Sequence, residues 1–323
     1  MRIATFNVEN LDDARTHGPS LEARIQMLGS QLGRVDADIL CLQEVNAQKP
    51  RFGRKRTLRA LEALMAATRL RGYHLAHSQN RQETGPRDIH NLATLSRHKI
   101  ISTEQLWHDL VEEPRHRFVH GDAPGVGTTL AWDRPVLYTR LQMRGEKVLH
   151  LFNLHLRAPL ACPVPGAKAN SAAWNSVAAW AEGYYLSEIK RAGQALELRS
   201  ALDTLFDDDE NALICIAGDF NCEEHHTPVE IICGREDHTG NGALATRVMV
   251  PVEHSLPEDR RFTVIHQGRR QMLDHILVSL ALLGHYQGSE IHNEALWDES
   301  VGHGAVEAPP VSCHAPVVAL FDL

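Results

Sequence analysis

Short apolar runs recur along this chain and stop abruptly in amides, carboxylates or imidazoles. The sharpest is Ile214-Cys215-Ile216-Ala217-Gly218-Asp219-Phe220-Asn221. A brief apolar run closed by turn residues reads as a buried strand. Alternate side chains of an extended chain share a face, so the pattern sends Asp219 and Asn221 to the same side. A carboxylate and an amide so placed suit a water to be activated and a phosphate to be attacked.

Other runs end the same way. Residues 3–8 lead into Asn7 and Glu9, residues 38–45 into Glu44, and residues 148–155 into Asn153 and His155. Residues 272–279 carry Asp274, and His314 precedes a closing strand at 317–321. Any one of these alone is an ordinary strand cap or structural histidine. Together, hard carboxylate oxygens suit Mg²⁺ or Mn²⁺, and amides and imidazoles suit a phosphate and its proton traffic. Helical spacing marks residues 20–34, about 57–70 and about 173–206. Paired strands fit 73–76 and 92–96, a further strand fits 127–132, and another fits 261–265. Residues 158–172 read as a loop that could serve as a lid, and 222–260 read as irregular. Strands and helices mix without regular alternation, which predicts an α+β fold with mostly antiparallel sheets and helices outside. No repeat or composition break divides residues 1–323, so one domain is expected.

The bulk numbers exclude several classes. The chain has 323 residues, 43% of them hydrophobic, which argues against disorder. A formal net charge of -8 is wrong for a general nucleic-acid coat, though not for a nuclease with a local basic groove or metal ions. Cys41 and Cys215 lie inside apolar runs, and the six cysteines show no paired spacing, so reduced core thiols are expected. No apolar run is long enough to span a membrane and no signal peptide is seen, so a cytoplasmic protein is expected.

The motif blocks Asn7-Val8-Glu9-Asn10, Leu42-Gln43-Glu44-Val45, Leu95-Ser96-Arg97, Asn153-Leu154-His155-Leu156, Gly218-Asp219-Phe220-Asn221, Leu273-Asp274-His275-Ile276 and Ser312-Cys313-His314 resemble, in order, those of the endonuclease/exonuclease/phosphatase superfamily. These are the DNase I-like metal-dependent phosphoesterases. The resemblance implies a four-layer α/β/β/α sandwich with its site at one end. It implies Glu44 as the principal Mg²⁺ ligand, with Mn²⁺ possible, and Glu9 as a second acid. Asn7 and Asn221 would hold the phosphate or metal-bound water, and Asp219 would orient the attacking water. Asp274 would fix the tautomer of His314, and His155 would contact the phosphate or help the leaving oxygen.

The implied activity is hydrolysis of phosphodiester bonds by an activated water. The basic stretch Lys49–Arg59, readable as a solvated loop or a phosphate-steering patch, leans the substrate towards nucleic acid. A phospholipid or small soluble phosphoester is the alternative. A degenerate binding module is the alternative of another class. Protein partners are not readable. Arg97, Asn153 and Arg157 lie in or beside motif blocks as phosphate contacts, with surface ion pairing the other reading of the two arginines. The clusters Cys222–His226, His74 with His77, and His116 with His120 match no common zinc framework. One position departs from the family: Cys313 stands where an acid is usual. Three readings follow: one metal held by Glu44, perhaps with Glu9; a softer metal drawn by the thiol; or weakened activity.

Overall fold

A computed structural model describes residues 1–13, 19–49, 55–122, 124–170, 173–240, 242–300 and 311–323. The chain begins β1 (Arg2–Leu11), α1 (Leu21–Val35), β2 (Ile39–Val45), α2 (Arg59–Ala67), β3 (His74–His77) and β4 (Asn91–Ser96). It continues through β5 (Ile100–Leu106), β6 (Arg115–Arg117), β7 (Gly127–Thr129), β8 (Val136–Gln142), β9 (Val148–His155), α3 (Val177–Asp208) and β10 (Leu213–Asp219). The remainder is α4 (Thr227–Cys233), α5 (Glu236–Thr239), β11 (Met249–Pro251), β12 (Val264–His266), β13 (Arg269–Gln271), β14 (Asp274–Ser279), α6 (Leu280–Leu283), β15 (Tyr286–Ile291) and β16 (Val317–Phe321).

Two six-stranded sheets result, ordered β15-β16-β1-β2-β4-β3 and β11-β14-β10-β9-β8-β5. Each is antiparallel except for one central parallel pair: β1 with β2, and β9 with β10. In each pair a helix makes the crossover that parallel strands require, α1 in the first and α3 in the second.

Three apolar layers fix the stacking. Leu28 and Leu32 of α1 and Leu61 and Leu64 of α2 pack on Ala4, Phe6, Leu40 and Leu42, the outer face of the first sheet. Ile3, Ile39 and Val317 meet Leu149, Leu151, Cys215 and Ile276 between the sheets. Leu198, Leu202 and Phe206 of α3 cover Phe152, Leu154, Ile214 and Ile216 on the far side. This is the α/β/β/α sandwich. Gly218 is needed where β10 crosses β9, because a Cβ there would lie 2.1 Å from the carbonyl oxygen of Leu154.

The differences from expectation are local. α3 starts at Val177 because Ser176 caps it, its hydroxyl accepting from the Ala179 amide at 3.1 Å. The region 222–260 holds α4, a helix too short to show a period, although Pro228 in its first turn was a start signal. Strands β5, β8 and β15 were not foreseen. The loop after β9 is packed rather than open, since Cys162, Val164 and Ala167 are buried against Ala179 and Leu186 of α3. All six cysteines are free and buried. Among the described residues, no helix is long and apolar enough to cross a membrane.

Candidate active site

The interface between the sheets changes character along its length, and alternation is the cause. Ile3, Thr5 and Asn7 of β1 point inward, as do Ile39, Cys41 and Gln43 of β2. The first level is apolar. The next is polar: the Gln43 amide donates to Thr5 Oγ1 at 3.1 Å and, across the sheets, to Asn153 Oδ1 at 2.9 Å. One level further, the strands end in Asn7, His155, Asp219 and Asp274.

The Asn7 amide ties the two sheets together. It donates to Glu44 Oε1 at 3.1 Å and to Asp219 Oδ2 at 2.9 Å, and its Oδ1 accepts from the Glu9 amide at 2.9 Å. The second Glu44 oxygen accepts from the Asn10 amide at 3.0 Å. Asp219 Oδ2 also lies 3.4 Å from His155 Nε2 and 4.0 Å from His314 Nε2. His314 Nδ1 meets Asp274 Oδ2 at 2.8 Å. Thr263 Oγ1 holds Asp274 in place by accepting from the Leu273 and Asp274 amides at 3.1 and 3.2 Å. Ser312 donates to the Asn7 carbonyl at 2.7 Å, which fastens the His314 segment to β1.

Alternation alone does not deliver all of these groups. Glu44 follows the outward-facing Leu40 and Leu42, and a break in register after Leu42 turns it. Glu9, Asn10, Glu44, His90 and Asn221 all have left-handed backbones, with φ between 50° and 60°. Such strain in residues other than glycine gathers where a surrounding structure enforces it. The buried Arg24 of α1 does so at one point, donating to the carbonyls of Val8 and Glu9, the latter at 3.1 Å. Asn221 likewise leaves the strand's alternation. Its amide donates to the Leu156 carbonyl at 3.0 Å, while its backbone N–H donates to Asp219 Oδ1 at 2.8 Å.

Burial raises the Asp219 carboxyl to about 7, with Asp274 adding to the shift. Burial works against a charged His314, but Asp274 and then Asp219 outweigh it and lift the imidazole to about 10. His155 moves the other way. Burial, the Arg134 guanidinium and two neighbouring histidines push it well below its ordinary value. Arg134 Nη1 donates to His155 Nδ1 at 2.7 Å, so the neutral ring carries its proton on Nε2, facing Asp219.

The remaining residues expected at the phosphate are each engaged with the protein itself. Asn153 spends its amide on the carbonyls of Leu42 and Ala93, at 3.2 and 3.1 Å, and is a fully buried tie between sheets. Arg97 follows Ser96, whose partner is Ile39, so it sits at the end of the sheet away from Glu44 and pairs with Asp38 at 2.7 Å. Arg157 pairs with Asp133 beside the cluster. In the basic stretch, Arg56 pairs with Asp88 and Arg59 with Asp13, and residues 50–54 lie outside the described residues. Sequence reasoning missed Arg134 and His90. The signal for Arg134 was an Arg-Pro step opening the unforeseen β8; His90 had none beyond its place before β4.

The donor set fits a hard divalent cation. Four carboxylates, Glu9, Glu44, Asp219 and Asp274, gather at the strand ends, and Asp274 Oδ1 is buried without a hydrogen-bond partner. Asp219, Asp274 and His314 place ligand atoms within 4.8 Å of one another. We read that trio as a proton-handling group instead, because His314 Nδ1 is already bonded to Asp274 Oδ2 at 2.8 Å. Glu44 and Glu9 are the other carboxylates that could hold such an ion. Glu223, His225 and His226 form a second trio of the same span. There His226 Nδ1 already accepts from the Glu223 amide at 3.1 Å.

Solved structures share this architecture. The mannosyl-6-phosphatase Bt3783 of Bacteroides thetaiotaomicron VPI-5482 aligns over 100% of both chains with a TM-score of 0.59 at 15% identity. Truncated Caenorhabditis elegans TDP2 aligns over 100% of this chain and 97% of its own, with a TM-score of 0.56 at 14% identity. The 3′ phosphatase NExo from Neisseria, bound to a product DNA hairpin, aligns over 100% of both chains with a TM-score of 0.57 at 18% identity. At these identities the likeness is one of fold: the DNase I-like sandwich. The model of the Endonuclease/Exonuclease/phosphatase family matches residues 4–297, and the chain belongs to that family. Its members include phosphodiesterases, nucleases and phosphatases. No curated protein matches the chain in sequence.

Proposed function

We propose that this protein hydrolyses a phosphate ester, a phosphodiester by preference, through attack of a water held by Asp219. The observation that carries the reading is the Asn7 amide bridging Glu44 and Asp219, with His155 and the His314–Asp274 pair against the same Asp219 oxygen. Glu44, together with Glu9, would hold Mg²⁺ or Mn²⁺, which when bound supplies charge neutralisation at the phosphate.

The roles follow from the proton positions. Asp219, raised to about 7, is matched to taking a proton from water near neutral pH. His314, cationic and steadied by Asp274, offers Nε2–H to a phosphate oxygen on which charge builds. His155 is neutral and donates from Nε2 without adding a charge beside Asp219. Asn7 has both amide hydrogens committed, so its part is to position Glu44 and Asp219. Asn221 is likewise tied to Leu156 and sets the backbone that orients Asp219.

For the substrate, the groove beside His90 and Arg157 encloses about 360 Å³. That lies near the small end for ligand sites. A groove of that size suits one unit of a substrate beside the cleaved ester and is compatible with a nucleic acid, a phospholipid or a small phosphoester. The test is release of p-nitrophenol from bis(p-nitrophenyl) phosphate with Mg²⁺ or Mn²⁺, with and without chelator. Folded protein that shows no metal-dependent release would favour the binding module. Plasmid DNA, single-stranded DNA, RNA, sphingomyelin and sugar phosphates then rank the substrate classes.

A further inference from the structure

Arg134 is an anomaly of charge. It is 9% exposed, its side chain hydrogen-bonds only to His155 among the described residues, and the carboxylates that offset its charge, Glu44, Asp133 and Asp219, all stand beyond ion-pair distance. A buried cation with no carboxylate in direct contact is costly. Nature retains such a group where a ligand completes it. Arg134 lines the groove already described, and that groove collects further cations: Arg87 from the segment before β4 and Arg157 from the segment after β9. The only carboxylate in the lining, Asp133, is taken up twice, by Arg157 and by Lys190 at 2.9 Å. Arg87 donates to the Asp133 backbone carbonyl, and the Asp133 carboxylate offsets its charge only from beyond ion-pair distance. In a chain of net charge -8, this is a local positive site.

Its position relative to the reacting centre is defined. His155 stands between the groove and Asp219, with Arg134 closest to Nδ1 and Asp219 facing Nε2. His90 joins the two regions, lining the groove and lying 3.9 Å from Glu44. A phosphate at Asp219 would lie across His155 from Arg134, so a second anion on the same substrate would enter the groove that the three arginines line. Ile89 and Leu160, 49% and 67% exposed, give the rim apolar surface for such a unit.

We propose that Arg87, Arg134 and Arg157 form an anion subsite, and that the substrate carries a second phosphate-class group beside the ester that is cleaved. The proposal deepens the phosphoesterase reading and rests on it for the word substrate, but the subsite can be tested without turnover. Inorganic phosphate is titrated into chelator-treated protein and the shift in melting temperature is followed. Wild type should be stabilised at millimolar phosphate, and Arg134→Gln and Arg87→Gln should each lose most of the shift. Equal shifts in all three proteins would overturn the subsite, whether or not the protein is an enzyme. Turnover then separates a free phosphate site from a substrate subsite. The p-nitrophenyl ester of thymidine 5′-phosphate is compared with the same ester bearing a 3′-phosphate. Wild type should prefer the second by tenfold or more in kcat/KM, and in Arg87→Gln the ratio should fall towards one. Phosphate binding with no such preference would limit the groove to free anions and overturn the claim about substrate. Absence of hydrolysis of either ester, with phosphate binding intact, would sink the phosphoesterase reading and leave the subsite standing.

Discussion

Two of the buried carboxylate–histidine clusters among the described residues keep opposite accounts. Glu182 on α3 accepts from His116 Nε2 at 2.8 Å, His120 Nδ1 at 2.9 Å and the amides of Val119 and His120 at 2.8 and 2.9 Å. Burial opposes its charge, but those donors overcome it and hold the carboxyl down at about 2. At the strand ends, Asp219 has too few donors for its burial and rises to about 7, and Asp274 keeps one oxygen without a partner. The residue types are the same. A satisfied cluster fastens a loop to a helix, whereas an unsatisfied one stands ready for a ligand and a proton.

The largest effect that could break this contrast is catalytic. Asp219→Asn should lower kcat by roughly 10²–10⁴, the range for losing a general base, and His314→Gln should fall in the same range. Circular dichroism and melting should show both variants folded. A loss below tenfold for Asp219→Asn would remove it as the base.

Glu182→Gln should do the reverse. The amide presents a donor to groups that already donate, so unfolding in urea should show a loss of about 1–3 kcal/mol. Turnover per folded molecule should be kept, since Glu182 belongs to no part of the site. A stability unchanged by the substitution would mean that the four hydrogen bonds do not hold the loop.

The two clusters should also answer pH with opposite signs. Glu182 has a folded value below its unfolded one, so its contribution is present above about 4.5 and is lost as pH falls towards 2. Asp219 has a raised value, so the fold favours its protonated form. Its contribution is fully present below about 3.8 and is lost as pH rises through about 7. In chelator, Asp219→Asn should therefore gain melting temperature over wild type at pH 8 and little at pH 4, by about 2–4 °C for each kcal/mol recovered. A gain independent of pH would contradict the buried, proton-holding state of Asp219.

The same contrast shows what was legible in the sequence. The period of two sufficed to send Asn7, His155, Asp219 and Asp274 inward, because a strand with one parity in the core has no freedom to turn its ends elsewhere. It also sent Asn153 inward, but one level short, where it ties sheets instead of meeting a ligand. Glu44 and Asn221 escape the period through left-handed backbones, which no pattern of hydrophobicity records. Arg134 and His90 were missed for another reason: they come from loops whose meaning depends on which strand ends they lie beside, and the Arg-Pro step at Arg134 marks a strand start without saying which. The spacing of His116 and His120 matched no zinc framework, and their partner Glu182 comes from a helix far along the chain.

The smallest expected effect concerns Cys313, which sits on the edge of the unsatisfied cluster. Its backbone N–H donates to Glu9 Oε2 at 3.0 Å, and the thiol is 6% exposed. Burial, then the Glu9 and Glu299 carboxylates, push the thiol far above its ordinary value. The buried thiol stands where the family usually has an acid and adds no carboxylate oxygen beside Glu9. Cys313→Asp would add a carboxylate beside Glu9. In chelator the added repulsion should lower the melting temperature slightly. With Mg²⁺ present the loss should be recovered, and the Mg²⁺ concentration for half-maximal diesterase activity should fall a few-fold. A metal profile identical to wild type would show that Cys313 does not tune the cation, and would leave its link to Glu9 as a matter of backbone positioning alone.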